Sequence, residues 1–383
     1  MFRRCMKSVC LLTAMLLMAG CSQIEQVENQ AYAVAMGIDR TEEGGMEITV
    51  TLPQIAASGG EGEESGGSGG KYFQVSVQGT NYESAIEKLG WAVPRNLNFS
   101  QLKAVIFARS LAESDAFSKL IKSVVQTERL FTAAYVVVCE GKAKDFISGM
   151  KPAMGNRLSA DITAMFDHYT EHGLIPGTTL ADLYYRGMSL YSQPMAIYGL
   201  YSAKTEAEPK DVSTMALAGS PEKLASEIEN NSEVHYLGAA LFSKEGMCGR
   251  FDGAQTVLAN LIRNELKSFV YEFEGKSLEL SPVGSCTARI DVSSDPVRIQ
   301  LGVKLAAVSQ QEMPDMALLK RMLTADIKEV IAMAQELGVE PFGFAEKAVQ
   351  KFGTIAKWRK FDWTEKFREA EVEIEIEFIR SDA

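Results

Sequence analysis

The segment His168-Tyr169-Thr170-Glu171-His172 carries side chains that can bind a metal and move a proton. It matches the H-x-x-E-H pattern of zinc peptidases, in which two histidines bind zinc and the glutamate acts as the base. On a helix, His168 and His172 lie four residues apart on one face. The same helix has an apolar stripe with His172 at its margin, formed by Leu158, Ile162, Met165, Phe166 and Tyr169. Packing is sufficient to explain His172, so a zinc peptidase is only the weakest alternative function.

Other catalytic patterns are absent from the sequence. It contains no G-x-S-x-G, no P-loop and no G-x-G-x-x-G, and its third and last histidine is His235. The glycine-rich tract at 59–70 does not lead from a strand into a helix with a lysine, as a phosphate-binding loop does. We therefore predict no catalytic residues, no metal and no cofactor. The absence of these motifs is typical of a protein that is not an enzyme.

Cys21 is the residue whose chemistry the sequence supports best. Residues 1–7 carry three basic side chains and no acidic one, and an apolar run follows from Val9 to Met18. That run is too short for a membrane-spanning helix, which needs roughly 20 residues, but it suits a signal peptide. It ends in Met18-Ala19-Gly20-Cys21, which resembles a bacterial lipobox with Met in place of the usual Leu. We expect removal of residues 1–20 and lipidation of Cys21 by an S-diacylglyceryl and an N-acyl group.

The lipid would anchor the chain to the outer face of a membrane. Two or three acyl chains make a stable anchor, because each buried CH₂ contributes ~0.8 kcal/mol. The 39 Lys and Arg residues against 50 Asp and Glu give a net charge of −11, which becomes −14 without Arg3, Arg4 and Lys7. This acidic balance argues against binding to nucleic acid and against electrostatic adhesion to anionic lipids.

Three cysteines remain outside the predicted signal peptide and lipid site. Cys139, Cys248 and Cys286 are widely spaced and form no CxxC or Cys/His metal pattern. Buried thiols are the favoured interpretation, with one disulfide and a leftover thiol as the alternative.

Strands and helices alternate along the chain without a regular βαβ repeat. The N-terminal half predicts strands at 31–38, 46–52, 72–77, 102–108, 133–139 and 195–200, and helices at 117–125, 142–150, 158–172 and 180–188, with a further helix opened by a capping box at Thr80–Glu83. The C-terminal half predicts a hairpin around 244–246, a helix capped by Asp252 and Gln255, strands near 268–273, 283–292 and 297–305, a helix from Pro314 to Gly338, an aromatic segment at 342–363 and a final strand with four solvated glutamates. The predicted class is α+β, multi-domain, with mixed β-sheets each packed with helices.

Composition also predicts the domain boundaries. An N-terminal α+β domain covers 21–201, a polar linker with two prolines covers 202–233, and a C-terminal α+β domain covers 234–383. Within the first domain, residues 58–70 are drawn only from Ser, Gly and Glu, so we expect a disordered loop there.

Four landmarks recur in order along the chain. They are AYAVAMGID at 31–39, NFSQLKAVIF at 98–107, GAALF at 238–242 followed by GRFDG at 249–253, and PFGF at 341–344 followed by Trp358 and the last alternating strand. Together with Cys21 they resemble the Ger(x)C family, the lipoprotein C subunits of nutrient germinant receptors in endospore-forming bacteria. Ser22, where a Trp commonly follows the lipidated Cys, and the 58–70 tract depart from the family pattern.

The resemblance implies a partner protein rather than a catalyst. Such C subunits work with a membrane-embedded A subunit and a transporter-like B subunit at the spore inner membrane, where nutrient binding triggers germination. No catalytic residue transfers from the family. The main alternative is a lipid-anchored solute-binding protein, which would require two similar lobes, whereas the two halves share no repeated pattern.

Overall fold

The structure, a computed structural model, describes residues 29–54, 72–127, 132–152, 157–201, 233–273, 276–308 and 315–379. The strands in these ranges are β1 (Gln30–Tyr32), β2 (Ala35–Arg40), β3 (Met46–Pro53), β4 (Tyr72–Gly79), β5 (Asn96–Asn98), β6 (Ala104–Ala108), β7 (Tyr135–Glu140), β8 (Met195–Tyr201), β9 (Val234–Phe242), β10 (Met247–Phe251), β11 (Phe269–Phe273), β12 (Lys276–Pro282), β13 (Thr287–Asp291), β14 (Arg298–Val308) and β15 (Glu371–Ile379). The helices are α1 (Tyr82–Ala92), α2 (Arg109–Ala112), α3 (Phe117–Val125), α4 (Ala143–Gly149), α5 (Leu158–Glu171), α6 (Leu180–Met188), α7 (Gly253–Arg263), α8 (Met316–Leu337), α9 (Phe344–Ala348), α10 (Ile355–Phe361) and α11 (Trp363–Arg368).

Eight of the described strands form a large mixed sheet in the order β10-β9-β8-β7-β6-β2-β3-β4. Its central strands β2, β6, β7 and β8 run parallel, and antiparallel strands complete both sides. Helices α1, α2, α3 and α6 pack on one face, and α4 and α5 pack on the other. Strands covered on both faces are apolar throughout, and every residue of β6 is buried.

Five of the described strands form a second, smaller sheet in which β15 runs parallel to β14. In β14, Ile299, Leu301, Val303 and Leu305 are buried in a core that includes α7 and α8, while the residues between them are exposed or half-buried. This alternation is the one that the sequence predicted. The glutamates of β15 are exposed as predicted, and they lie beside polar residues of β14 such as Lys304.

The hairpin β9–β10 belongs to the large sheet although it follows the predicted linker. β9 pairs with β8 and thereby extends the sheet beyond the N-terminal half. Ala240 and Phe242 contribute to the core of that half, whereas Ala239 and Leu241 contribute to the core around the small sheet. The strand therefore joins both cores. Residues 58–70 and 202–232 lie outside the described ranges, so the loop, the linker and the domain boundaries stay predictions.

The predicted class, with mixed sheets each packed with helices, is confirmed by the two larger sheets, and β1 and β5 form a separate parallel pair. Some local predictions were wrong. Asn81, not Thr80, caps α1, because its side-chain oxygen accepts from the backbone N–H of Ser84 at 2.8 Å. The strand predicted at 31–38 is interrupted at Ala33 and Val34. The backbone N–H of Ala33 donates to the carbonyl of Asn98 in β5, whereas that of Val34 donates to the carbonyl of Thr51 in β3, so the chain changes its strand partner between these two residues. The strand predicted at 283–292 begins at Thr287, and β12 was missed since its side chains are mostly polar.

Candidate functional site

The predicted lipid site, Cys21, lies outside the described residues and stays a prediction. In the described ranges, no helix combines the length and the apolar character needed to cross a membrane. The free cysteines in these ranges are Cys139 and Cys286, which are buried as predicted, and Cys248, which is exposed, contrary to the prediction. Burial raises the pKa of the Cys286 thiol to about 11, so this thiol is inert at neutral pH.

The H-x-x-E-H segment lies at the end of α5, as its pattern predicted. The rings of His168 and His172 are 4.7 Å apart between centroids. However, Nδ1 of His172 lies 3.3 Å from the carbonyl oxygen of Ser268, and the Glu171 carboxylate pairs with Lys267 at 2.5 Å. The hydrogen bond from Lys267 lowers the pKa of Glu171, which makes it a weaker base. Among the described residues, no group of three or more His, Cys, Asp or Glu side chains can hold a metal ion.

A cleft of about 130 Å³ lies where the segment 189–193, which follows α6, meets the helices near the end of the chain. Three hydrogen bonds join its two walls. Trp358 donates through Nε1 to the carbonyl of Leu190 at 3.0 Å, and Ser192 donates to the Glu346 carboxylate at 2.9 Å. The third runs from the backbone N–H of Glu340 to the side-chain oxygen of Gln193 at 2.5 Å. These hydrogen bonds fix the positions of the two walls relative to each other, as expected for a preformed pocket.

Glu340 is the buried ionisable residue of this cleft. Only 3% of its surface is exposed, and its carboxylate accepts from the backbone N–H groups of Phe342 at 2.8 Å and Ala345 at 2.7 Å. Burial raises the pKa of Glu340 to about 7, although the hydrogen bonds from the backbone oppose the shift. The carboxylate thus fixes the turn at Pro341 and the start of α9.

The aromatic residues predicted at 342–363 serve both as core and as cleft wall. Trp358 and Trp363 are buried and stack with their centroids 5.8 Å apart. Both also line the cleft, together with the charged side chains of Lys244 and Arg359. The sequence pattern predicted only an aromatic segment here. Glu340 was not predicted, and its only sequence signal is its position directly before the PFGF landmark.

Comparison with known proteins assigns both halves of the chain. Residues 23–198 match the family profile described as "Spore germination protein N-terminal domain", and residues 237–380 match "Spore germination B3/ GerAC like, C-terminal". The chain belongs to the Ger(x)C family. The resemblance inferred from the four landmarks is thereby confirmed.

Two Bacillus subtilis (strain 168) proteins are similar to this Ger(x)C chain. Spore germination protein KC is 27% identical over 157 residues, which are 40% of this chain and 38% of that protein. Putative spore germination protein YfkR is 19% identical over 387 residues, which cover 96% of this chain and 94% of that protein. The crystal structure of the GerBC protein matches 94% of this chain and 100% of its own with a TM-score of 0.50 and 13% identity. At that identity, the likeness to GerBC concerns the fold.

The first landmark of this Ger(x)C chain has a structural explanation. A Cβ at Gly37 would lie 2.8 Å from the side chain of Ile147 and 3.2 Å from the backbone of Ala143, so only glycine lets α4 approach β2 this closely. Asp39, two residues later, accepts from the backbone N–H groups of Ala143 and Lys144 at 2.7 and 2.9 Å. The Gly-Ile-Asp motif therefore docks and caps α4.

Proposed function

We propose that this chain is the lipid-anchored C subunit of a nutrient germinant receptor, acting without catalysis at the outer face of the spore inner membrane. The observation that carries the proposal is the pair of family profiles, which follow each other from residue 23 to residue 380. In the proposed receptor the chain works with the A and B membrane subunits. Its role is to help trigger germination when the receptor senses a nutrient.

The lipid on Cys21 would hold the folded body close to the membrane. Nine residue steps separate Cys21 from Gln30, where β1 begins. An extended chain advances 3.3–3.6 Å per residue, so this connection reaches at most roughly 30 Å. That distance is comparable to the size of one domain. The anchor would therefore keep the large sheet beside the membrane partners rather than merely in the same compartment.

Deletion of the gene tests the role in germination. We expect the deletion strain to lose germination on at least one single nutrient, and the wild-type gene to restore it. Loss of optical density and release of dipicolinate measure the response. Unchanged germination on every nutrient of the panel would contradict the proposal.

Complementation of the same strain with a Cys21→Ala gene tests the anchor. The variant lacks the thiol that accepts the lipid, so we expect no palmitate labelling, loss from the membrane fraction and no restored germination. A Cys248→Ala gene is the matched control, because it removes an exposed thiol of the folded body and should behave as wild type. A Cys21→Ala protein that stays on the membrane would show that the partner subunits hold the chain and that the lipid is secondary.

A further inference from the structure

The cleft between segment 189–193 and the C-terminal helices carries two cationic side chains that come from distant parts of the fold. Lys244 lies at the tip of the β9–β10 hairpin, and Arg359 lies on α10. Both are exposed. In the described part of the chain, the recorded ion pairs involve other lysines and arginines, including Lys144, Lys151 and Arg263. The two charges in the cleft are thus available to an anion.

A hydrogen-bond donor at the same place also has no acceptor. The indole Nε1 of Trp363 is buried and has no partner within the ranges that the structure describes. Trp363 itself is only 7% exposed and lines the cleft. A buried donor without an acceptor costs free energy, so such groups in native proteins usually mark a water or a ligand that completes the site.

The carboxylates of the cleft do not supply the missing acceptor. The two oxygens of Glu340 accept from the backbone N–H groups of Phe342 and Ala345. Asp362 is exposed at the rim, and its positive φ of 51° is fixed by the tight turn between α10 and α11. The lining thus carries two exposed cations, one exposed carboxylate at the rim and one buried carboxylate whose oxygens already accept hydrogen bonds. The two cations and the indole N–H fit a ligand that offers oxygen acceptors and negative charge.

We propose that this cleft binds a small organic carboxylate held by Lys244 and Arg359, and that binding brings the indole N–H of Trp363, which is covered in this structure, into hydrogen-bond contact with it. The cavity of about 130 Å³ accepts a molecule of a few non-hydrogen atoms, and the tryptophan faces accommodate its apolar part. Lys244 lies in the turn of the hairpin at the edge of the large sheet, whereas Arg359 and Trp363 belong to the helices around the small sheet. The bound carboxylate would therefore join the two halves of the molecule. This inference rests on the cleft alone and does not depend on the proposed germination role.

Tryptophan fluorescence of the purified full-length chain tests the site. Of the three tryptophans, Trp91 is remote from the cleft and 76% exposed, so a Trp91→Phe background leaves the two cleft tryptophans as reporters. Acetate, propionate and succinate are titrated in turn, with propanamide as the uncharged control and sodium chloride to match ionic strength. We expect a saturable change with at least one carboxylate and none with propanamide.

Variants in the same background identify the contacts. Arg359→Ala and Lys244→Ala should each weaken binding about tenfold or more, since each removes a charge-assisted hydrogen bond. Lys360→Ala is the matched control, because Lys360 is the neighbouring exposed cation on α10 but does not line the cleft. Trp363→Phe should weaken binding several-fold, with Trp358 as the remaining reporter and the melting temperature as the check on folding.

Several results would overturn the inference. A linear response to all three carboxylates, or an equal response to propanamide, would mean that the cleft holds water only. Saturable binding that is unchanged in Arg359→Ala and Lys244→Ala would indicate an adventitious ion elsewhere on the surface.

Discussion

Asp39 shows how one side chain of a family landmark acts on the fold. Asp39 is 3% exposed, and its carboxylate accepts hydrogen bonds from two backbone N–H groups at the start of α4. These N–H groups have no partner inside the helix, so their acceptor must come from elsewhere. Burial raises the pKa of Asp39 in spite of the two hydrogen bonds. The two hydrogen bonds therefore fix the position of the carboxylate, although burial disfavours its charged form.

Replacing Asp39 by Ala should destabilise the protein by about 1–3 kcal/mol, because two buried N–H groups lose their acceptor. Urea unfolding followed by circular dichroism measures the change. Asp145→Ala is the control, since Asp145 is exposed in the first turn of the same helix and should cost at most about 1 kcal/mol. Equal losses in the two variants would mean that the cap at Asp39 contributes nothing beyond helix charge.

Glu340 makes the stability of the fold depend on pH. Its pKa is raised to about 7 in the folded chain from an ordinary value of 4.5. Between pH 5 and 7 the folded chain retains a proton that the unfolded chain releases. The free energy of unfolding therefore falls as the pH rises, by up to about 1.4 kcal/mol per pH unit.

A Glu340→Gln variant should lose this pH dependence, because an amide does not titrate. Thermal unfolding at pH 5, 6, 7 and 8 compares it with wild type, and the difference between them should shrink or reverse toward pH 8. Glu369→Gln, which changes an exposed carboxylate, should follow the wild-type curve. Parallel curves for wild type and Glu340→Gln would show that Glu340 titrates normally.

At the scale of elements, the register of β14 and β15 places side chains of opposite charge directly across from each other. Lys304 lies opposite Glu377 with their charged atoms 3.0 Å apart, and Arg298 lies opposite Glu371 at 3.2 Å. The two pairs are exposed, so each contributes at most about 1 kcal/mol. Glu375 lies opposite Gly302, so the register places no charged residue directly across from it.

Exchanging the charges of one pair tests this register. Glu377→Lys places two cations side by side and should destabilise the protein by up to about 1 kcal/mol, whereas the double variant with Lys304→Glu should recover most of the loss. Urea unfolding of the four proteins in the cycle gives the coupling. Glu375→Lys is the control and should be close to neutral. Absence of coupling between positions 304 and 377 would contradict the register.

At the scale of the whole molecule, the large sheet crosses the predicted domain boundary. β8 ends at Tyr201, and its backbone pairs with β9 from beyond the predicted linker. Arg250, on β10, also lies over the ring of Tyr198 on β8, at 5.2 Å from its centroid. A fragment that stops at 201 would leave the β8 edge and these contacts open.

We therefore expect a fragment 22–201 to unfold at lower urea concentration than a fragment 22–252, or to aggregate. The longer fragment restores β9 and β10 to the sheet edge. Circular dichroism and size-exclusion chromatography compare the two. Cooperative unfolding of fragment 22–201 at the same midpoint would instead make residue 201 a true domain boundary.

Local pattern in the sequence determined most of the elements and the family. Alternation over β14, the apolar stripe of α3 and the Asp252–Gln255 cap of α7 depend on residues close in the chain, so they are readable without a fold. The four landmarks carried the family assignment for the same reason. The lipid site at Cys21 is likewise a local pattern, and it remains a prediction from sequence.

Tertiary structure alone decided which distant residues meet. The parallel pairing of β2, β6, β7 and β8 has no periodic signal, because strands buried on both faces are uniformly apolar. The hydrogen bond from Glu340 to Gln193 and the presence of Arg359 and Lys244 in one cleft depend on segments more than a hundred residues apart along the chain. Residue type and spacing do not encode such contacts, since they arise only when the two cores pack together.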